Sequence, residues 1–78
     1  MASAYVLLNV ESGSEHEVLA QTKKIGDIAE AYVSFGVYDL IVKVNAASME
    51  ELKEIVTYRL RILKHVRSTL TLPLAEGK

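Results

Sequence analysis

The residues of this chain best suited to binding chemistry begin with Gly36 and Asp39, which are separated by two residues and lie between two strand-like runs. A glycine at this place permits a positive φ or a close approach to the backbone. Asp39 can accept hydrogen bonds from nearby amides or from a ligand ammonium group, and the hydroxyls of a later Ser/Thr-bearing run can donate to an anion. The predicted ligand-binding residues are Gly36, Tyr38, Asp39, Ser68, Thr69 and Thr71.

Each of these residues also has a purely structural interpretation. Asp39 can serve as an acceptor that stabilises its own turn, and serine and threonine are ordinary strand residues. The basic residues Arg59, Arg61, Lys64 and Arg67 lie around the predicted end of the second helix. Cations there complement the helix dipole, and an anion-binding patch is the functional alternative.

Residues for catalysis or metal binding are sparse. The chain has no cysteine, and His16 and His65 lack partners at metal-ligand spacing, so we interpret both as solvated surface histidines. Ser14 and Ser48 stand where helices begin, which helix capping explains without a nucleophile. We therefore expect no metal, no cofactor and no enzymatic activity.

Size and charge restrict the chain further. It has 78 residues, 50% of them hydrophobic and 24% charged, with a formal net charge of −1. This predicts one domain over residues 1–78, with no electrostatic basis for direct binding of nucleic acid or an anionic membrane. No run approaches the ~20 apolar residues of a membrane span. We expect a cytoplasmic protein.

Hydrophobic spacing predicts the element order β-α-β-β-α-β. The first helix is expected to begin at Ser14 with Glu17 as a capping box, and the second at Ser48 with Glu51. The predicted strands are residues 4–10, 28–34, 39–45 and 66–74. This order is that of a ferredoxin-like α+β fold, an antiparallel four-stranded sheet with two helices on one face.

Side chains alternate along each strand and so divide every strand into two sets. The set predicted to lie under the helices is Val6, Leu8, Val10, Ala29, Ala31, Val33, Leu40, Val42, Val44, Leu70 and Leu72. The opposite set is mixed, with Arg67, Thr69 and Thr71 among its polar members. Because that face stays uncovered in a monomer, we expect two copies to dimerise through it. The predicted interface residues are Tyr5, Leu7, Tyr32 and Ile41.

The hairpin over residues 29–44, with its Gly-x-x-Asp sequence, and the final strand VRSTLTL are the most informative segments. Together they resemble the RAM domain, the C-terminal effector module of the Lrp/AsnC transcription regulators, over about residues 4–74. The resemblance implies an α/β-barrel-like dimer, assembly of dimers into a higher homo-oligomer, and an effector bound between dimers near this hairpin. A free amino acid is a zwitterion, for which Asp39 and the hydroxyls offer an acceptor and donors.

Two features depart from the family pattern. The chain starts almost at its first strand, whereas members usually carry a DNA-binding domain ahead of this module, so we expect a stand-alone form that acts through a full-length Lrp/AsnC regulator. Lys64 and His65 replace a Pro-Gly-like turn before the last strand. A small dimeric monooxygenase-like enzyme and an ACT-like regulatory domain, which share this element order, are the alternatives.

Overall fold

A computed structural model describes residues 1–75 and has the predicted βαββαβ order. The four strands pair antiparallel, and their order across the sheet is second, third, first, fourth in chain order, which confirms the ferredoxin-like α+β fold. The second helix continues directly into a π-helical segment, Val56–Leu60. The elements are β1 (Ala2–Val10), α1 (Glu15–Lys23), β2 (Ile28–Val33), β3 (Leu40–Ala46), α2 (Met49–Ile55) and β4 (Val66–Leu74).

The core lies between the two central strands and the helices. Along β3, and along β1 from Ser3 onward, buried and half-buried residues alternate, as a sheet covered on one face requires. Helix α2 and the π segment bury Leu52, Val56 and Leu60, at spacings that keep one apolar stripe toward the sheet. α1 packs over β2 and β3, and α2 packs over β1 and β3. The edge strand β4 is therefore the strand that the helices cover least.

The prediction for the two faces of β4 was wrong. Leu70 and Leu72 pair opposite Leu7 and Tyr5, so they lie on the face away from the helices, where they are 42% and 44% exposed. Thr69, by the same alternation, pairs opposite the fully buried Leu8 on the helix side. The β4 pattern of leucines and threonines allows either parity, and only pairing with β1 selects one.

Two irregularities in the strand pairing explain where the predicted and observed faces of β2 and β4 differ. The pairing of β1 with β4 goes from Asn9 opposite Ser68 to Val10 opposite Val66, and so skips Arg67. The pairing of β2 with β3 likewise skips Ala29, which is exposed, while Ile28 packs against the core in its place. Each skipped residue is a β-bulge, which reverses the parity of one strand segment.

The helix starts differ from each other. Ser48 accepts a hydrogen bond from the Glu51 backbone N–H at 3.1 Å, which confirms the cap predicted for α2. Ser14 precedes α1 but makes no side-chain cap, and the Glu17 side chain contacts His65 instead. The capping box predicted for α1 was therefore wrong, because a tertiary partner takes the glutamate that it needs.

Candidate functional site

Asp39 lies immediately before β3 and joins three strands. Its Oδ2 accepts a hydrogen bond from the backbone N–H of Val10 at 2.8 Å. Its own backbone N–H donates to the carbonyl of Leu8 at 2.9 Å, and its carbonyl accepts from the N–H of Ser34 at 2.8 Å. Within residues 1–75 its Oδ1 accepts no hydrogen bond, so one carboxylate oxygen positions the hairpin and the other is available to a ligand.

A cavity of about 530 Å³ lies beside the hairpin and the first turn of α1. Its lining is Glu15, His16, Val33, Ser34, Phe35, Gly36 and Asp39. Phe35 is fully exposed and Val37 is 86% exposed, so the tip of the hairpin presents apolar groups to solvent. Two carboxylates and two apolar side chains at one cavity suit a ligand that carries both an ammonium group and an apolar part.

Gly36 adopts no positive φ, and a Cβ built on it meets no atom within 4 Å. The two reasons expected for a glycine here, a positive φ and a close approach to the backbone, are therefore wrong within the subunit. Gly13, with φ +86, is the glycine whose turn requires a positive φ. Tyr38 is half-buried within the same loop and lies outside the lining of the cavity.

The three predicted hydroxyl residues do not join Asp39 within one subunit. Thr69 and Thr71 face the helix side and line a groove between α2 and β4, which has a lining entirely separate from that of the hairpin cavity. Ser68 pairs with Asn9, and its hydroxyl accepts from the Asn9 side-chain amide at 3.4 Å. The predicted ligand-binding residues therefore do not form one site on the subunit.

His65 has a role that the sequence did not reveal. Its φ is +75, an uncommon conformation for a residue other than glycine, at the position where Lys64 and His65 replace a Pro-Gly-like turn. Its Nδ1 contacts the Glu11 carboxylate, and its Nε2 lies 3.2 Å from the Glu17 carboxylate. The hydrogen bond and the charge of His65 lower the pKa of Glu11 below its usual value. His65 therefore ties β4 to the start of α1 and is not the solvated histidine expected.

The predicted interface residues share the sheet face away from the helices. Tyr5 pairs with Lys43, Leu7 with Ile41, and Tyr32 with Ile41, so these side chains are neighbours across three strands. The Lys43 Nζ lies 5.9 Å from the centre of the Tyr5 ring, within reach of a cation–π contact. Leu70 and Leu72 extend the apolar part of this face.

Residues 1–75 contain no group of three His, Cys, Asp or Glu side chains arranged to hold a metal ion. No helix among them has the length and apolar character needed to cross a bilayer.

The βαββαβ fold of this chain is that of a regulatory domain that binds a small-molecule effector. The description "Lrp/AsnC ligand binding domain" applies to a family that matches residues 3–76, and the chain belongs to this family. The resemblance seen in the Gly-x-x-Asp hairpin and the final strand is thereby confirmed.

Known proteins of similar sequence and structure agree with this family membership. An uncharacterised HTH-type transcriptional regulator of Pyrococcus furiosus is 36% identical over 73 residues, which cover 90% of this chain and 49% of that protein. The chain thus spans about half the length of the curated regulators it matches. The crystal structure of FFRP-DM1 superposes with a TM-score of 0.91 at 32% identity and covers 95% of this chain and 99% of that one. A crystal structure from Thermus thermophilus has a TM-score of 0.93 at 28% identity, with coverage of 100% and 98%.

Proposed function

We propose that this domain binds a free amino acid at the hairpin cavity and that the bound ligand changes how subunits assemble. The observation that carries the proposal is the available Oδ1 of Asp39 at a cavity that Glu15 also lines. A ligand ammonium group is attracted to this acidic edge, and the apolar tip at Phe35 provides a surface for a hydrocarbon side chain. Gly36 also lines this cavity, and Tyr38 is half-buried in the same loop.

The assembly part of the proposal rests on the uncovered sheet face. Tyr5, Leu7, Tyr32 and Ile41, extended by Leu70 and Leu72, form an apolar surface that a second copy would remove from water. A two-fold dimer is the commonest closed arrangement for such a self-complementary surface. Dimers would then join into a higher homo-oligomer through the exposed hairpin tips, where a ligand between dimers favours one arrangement by binding it more tightly.

The proposed output is control of transcription without enzymatic activity. The curated relatives reported above are transcription regulators of about twice the length of this chain. We propose that the domain acts in the cytoplasm by assembling with a full-length regulator of the same family, and that it makes no direct contact with nucleic acid. The net charge of −1 agrees with that absence of direct contact.

Calorimetric titration with the common amino acids, paired with native mass measurement, tests the proposal. One amino acid should bind saturably and change the oligomer mass, and Asp39→Asn should weaken that binding about tenfold or more, because the neutral amide attracts an ammonium group less. Glu54→Gln, on the exposed side of α2, is the matched control. Saturable binding that Asp39→Asn leaves unchanged would contradict the proposed site.

A further inference from the structure

A groove runs along the helix side of β4, where the helices cover the sheet least. One part, of about 330 Å³, is bounded by Met49, Leu52 and Val56 of the helical wall and by Thr69 and Thr71 of the strand. It adjoins a second cavity of about 470 Å³ at the start of β4, and Arg61 and Thr69 line both. Both volumes fall in the range of small-molecule sites, ~300–1,000 Å³.

The charges along this groove are all of one sign. Lys53, Arg61 and Arg67 line it, and its described lining contains no aspartate or glutamate. Within residues 1–75 neither guanidinium forms a salt bridge. Glu11, the carboxylate whose pKa Arg67 helps to lower, is held by His65 and does not line the groove. The groove is therefore suited to an anion and offers no carboxylate partner to an ammonium group.

Regular structure is interrupted on both walls at the cationic end. The helical wall becomes a π helix over Val56–Leu60, and the Arg61 backbone N–H donates to the Val56 carbonyl at 2.9 Å. On the opposite wall, Arg67 is the residue that the β1–β4 pairing skips. π segments and β-bulges both redirect side chains and recur at functional sites. The two arginines are thus placed by local irregularities on separate elements.

The part of the groove beside α2 has most of the apolar lining. Met49, Leu52, Val56 and Pro73 line it together with Lys53, Thr69 lines both parts of the groove, and Thr71 lines this one. An occupant that matches both ends has a carboxylate at the arginines, an acceptor oxygen near the threonine hydroxyls and a short hydrocarbon chain beyond.

We propose that this groove is a second ligand site, which takes an α-keto acid with an apolar chain and discriminates against the corresponding amino acid. The absence of a carboxylate in its described lining leaves an ammonium group unpaired beside three cations, which opposes binding. The site lies on the helix side of the sheet, so dimerisation through the opposite face leaves it open. It is independent of the effector site proposed at Asp39.

Titration calorimetry with α-ketoisocaproate and with leucine tests this site. The keto acid should bind with one site per chain, and Arg61→Gln should weaken it roughly tenfold or more, as expected for loss of a charge-assisted hydrogen bond. Arg59→Gln is the matched control, because Arg59 lies two residues away and lines a different cavity. Thr71→Val, which removes a hydroxyl at nearly constant shape, should also weaken binding.

Amide NMR locates the ligand and separates this proposal from the previous one. α-Ketoisocaproate should shift the amide signals of Thr69 and Thr71, should leave that of Gly36 in place, and should bind Asp39→Asn as tightly as the unmodified chain. Saturable binding that Arg61→Gln and Thr71→Val leave unchanged overturns the proposal. Absence of saturable binding, or keto-acid binding abolished by Asp39→Asn, also overturns it.

Discussion

Leu7 of β1 lies directly opposite Leu70 of β4, on the face of the sheet away from both helices. This pair adds the edge strand to the apolar surface formed by Tyr5, Tyr32 and Ile41. A surface of this kind, spanning all four strands, is the physical basis for the dimer that we propose.

Leu70→Glu should convert the dimer to monomer at micromolar concentration, because a carboxylate in an apolar interface would be desolvated without a partner. Sedimentation velocity gives the mass in solution. Ile62→Glu is the control, since Ile62 is 71% exposed beyond the π segment and away from this face. A dimer mass for Leu70→Glu would contradict dimerisation through this face.

Asp39→Ala should destabilise the subunit by about 1–3 kcal/mol, because the Val10 N–H would lose its acceptor in a partly buried position. Asp39→Asn should cost less, since its amide oxygen can still accept from Val10. Urea denaturation measures both. Equal stability of the two variants would mean that the Asp39–Val10 hydrogen bond contributes little, whatever the effect on ligand binding.

Gly13 and Gly36 provide a matched comparison of backbone and contact effects. Gly13→Ala should lower stability by about 1–2 kcal/mol because φ is +86 there. Gly36→Val should leave the free energy of subunit unfolding within about 0.5 kcal/mol, since its Cβ meets nothing within the subunit. We expect Gly36→Val nevertheless to reduce the mass of the higher oligomer. If Gly36→Val forms oligomers of unchanged mass, the hairpin does not form the proposed contact between dimers.

Stability should fall in acid through the Glu11–His65 contact. His65 holds the pKa of Glu11 below the usual 4.5, so the stabilisation is present above that value and is lost as the pH falls through the folded-state pKa. Glu11→Gln should flatten this part of the curve of unfolding free energy against pH below about 4.5. Glu54→Gln, exposed on α2, serves as the control. If the unfolding free energy of Glu11→Gln falls below pH 4.5 as steeply as that of the unmodified chain, the Glu11–His65 contact does not cause this loss of stability.

Much of the architecture was predictable because its signals are local. The apolar spacing of Leu52, Val56 and Leu60 predicts one buried helix face, and the structure buries all three. The bounds of β4 are confirmed at Val66–Leu74, with Pro73 on an edge strand where its missing N–H is tolerated. The π segment carries no comparable signal in sequence, since the same apolar residues fit an ordinary helix.

The candidate site was predictable only in part. Gly36 and Asp39 were found from their spacing in a hairpin, and the structure places both at one cavity. Thr69 and Thr71 were grouped with them from residue chemistry alone, and they lie in a separate groove. The contacts of His65 with Glu11 and Glu17 join residues far apart in the chain, which no local pattern reveals.

By itself the sequence determined the order of strands and helices, the buried faces of β1 and β3, and the family resemblance, since each depends on spacing within one short segment. The tertiary structure alone decided which way β4 faces and which arginines and hydroxyls share a groove. The physical reason is that strand parity depends on cross-strand hydrogen bonds. One skipped residue, Arg67 or Ala29, exchanges the faces of the segment beyond it.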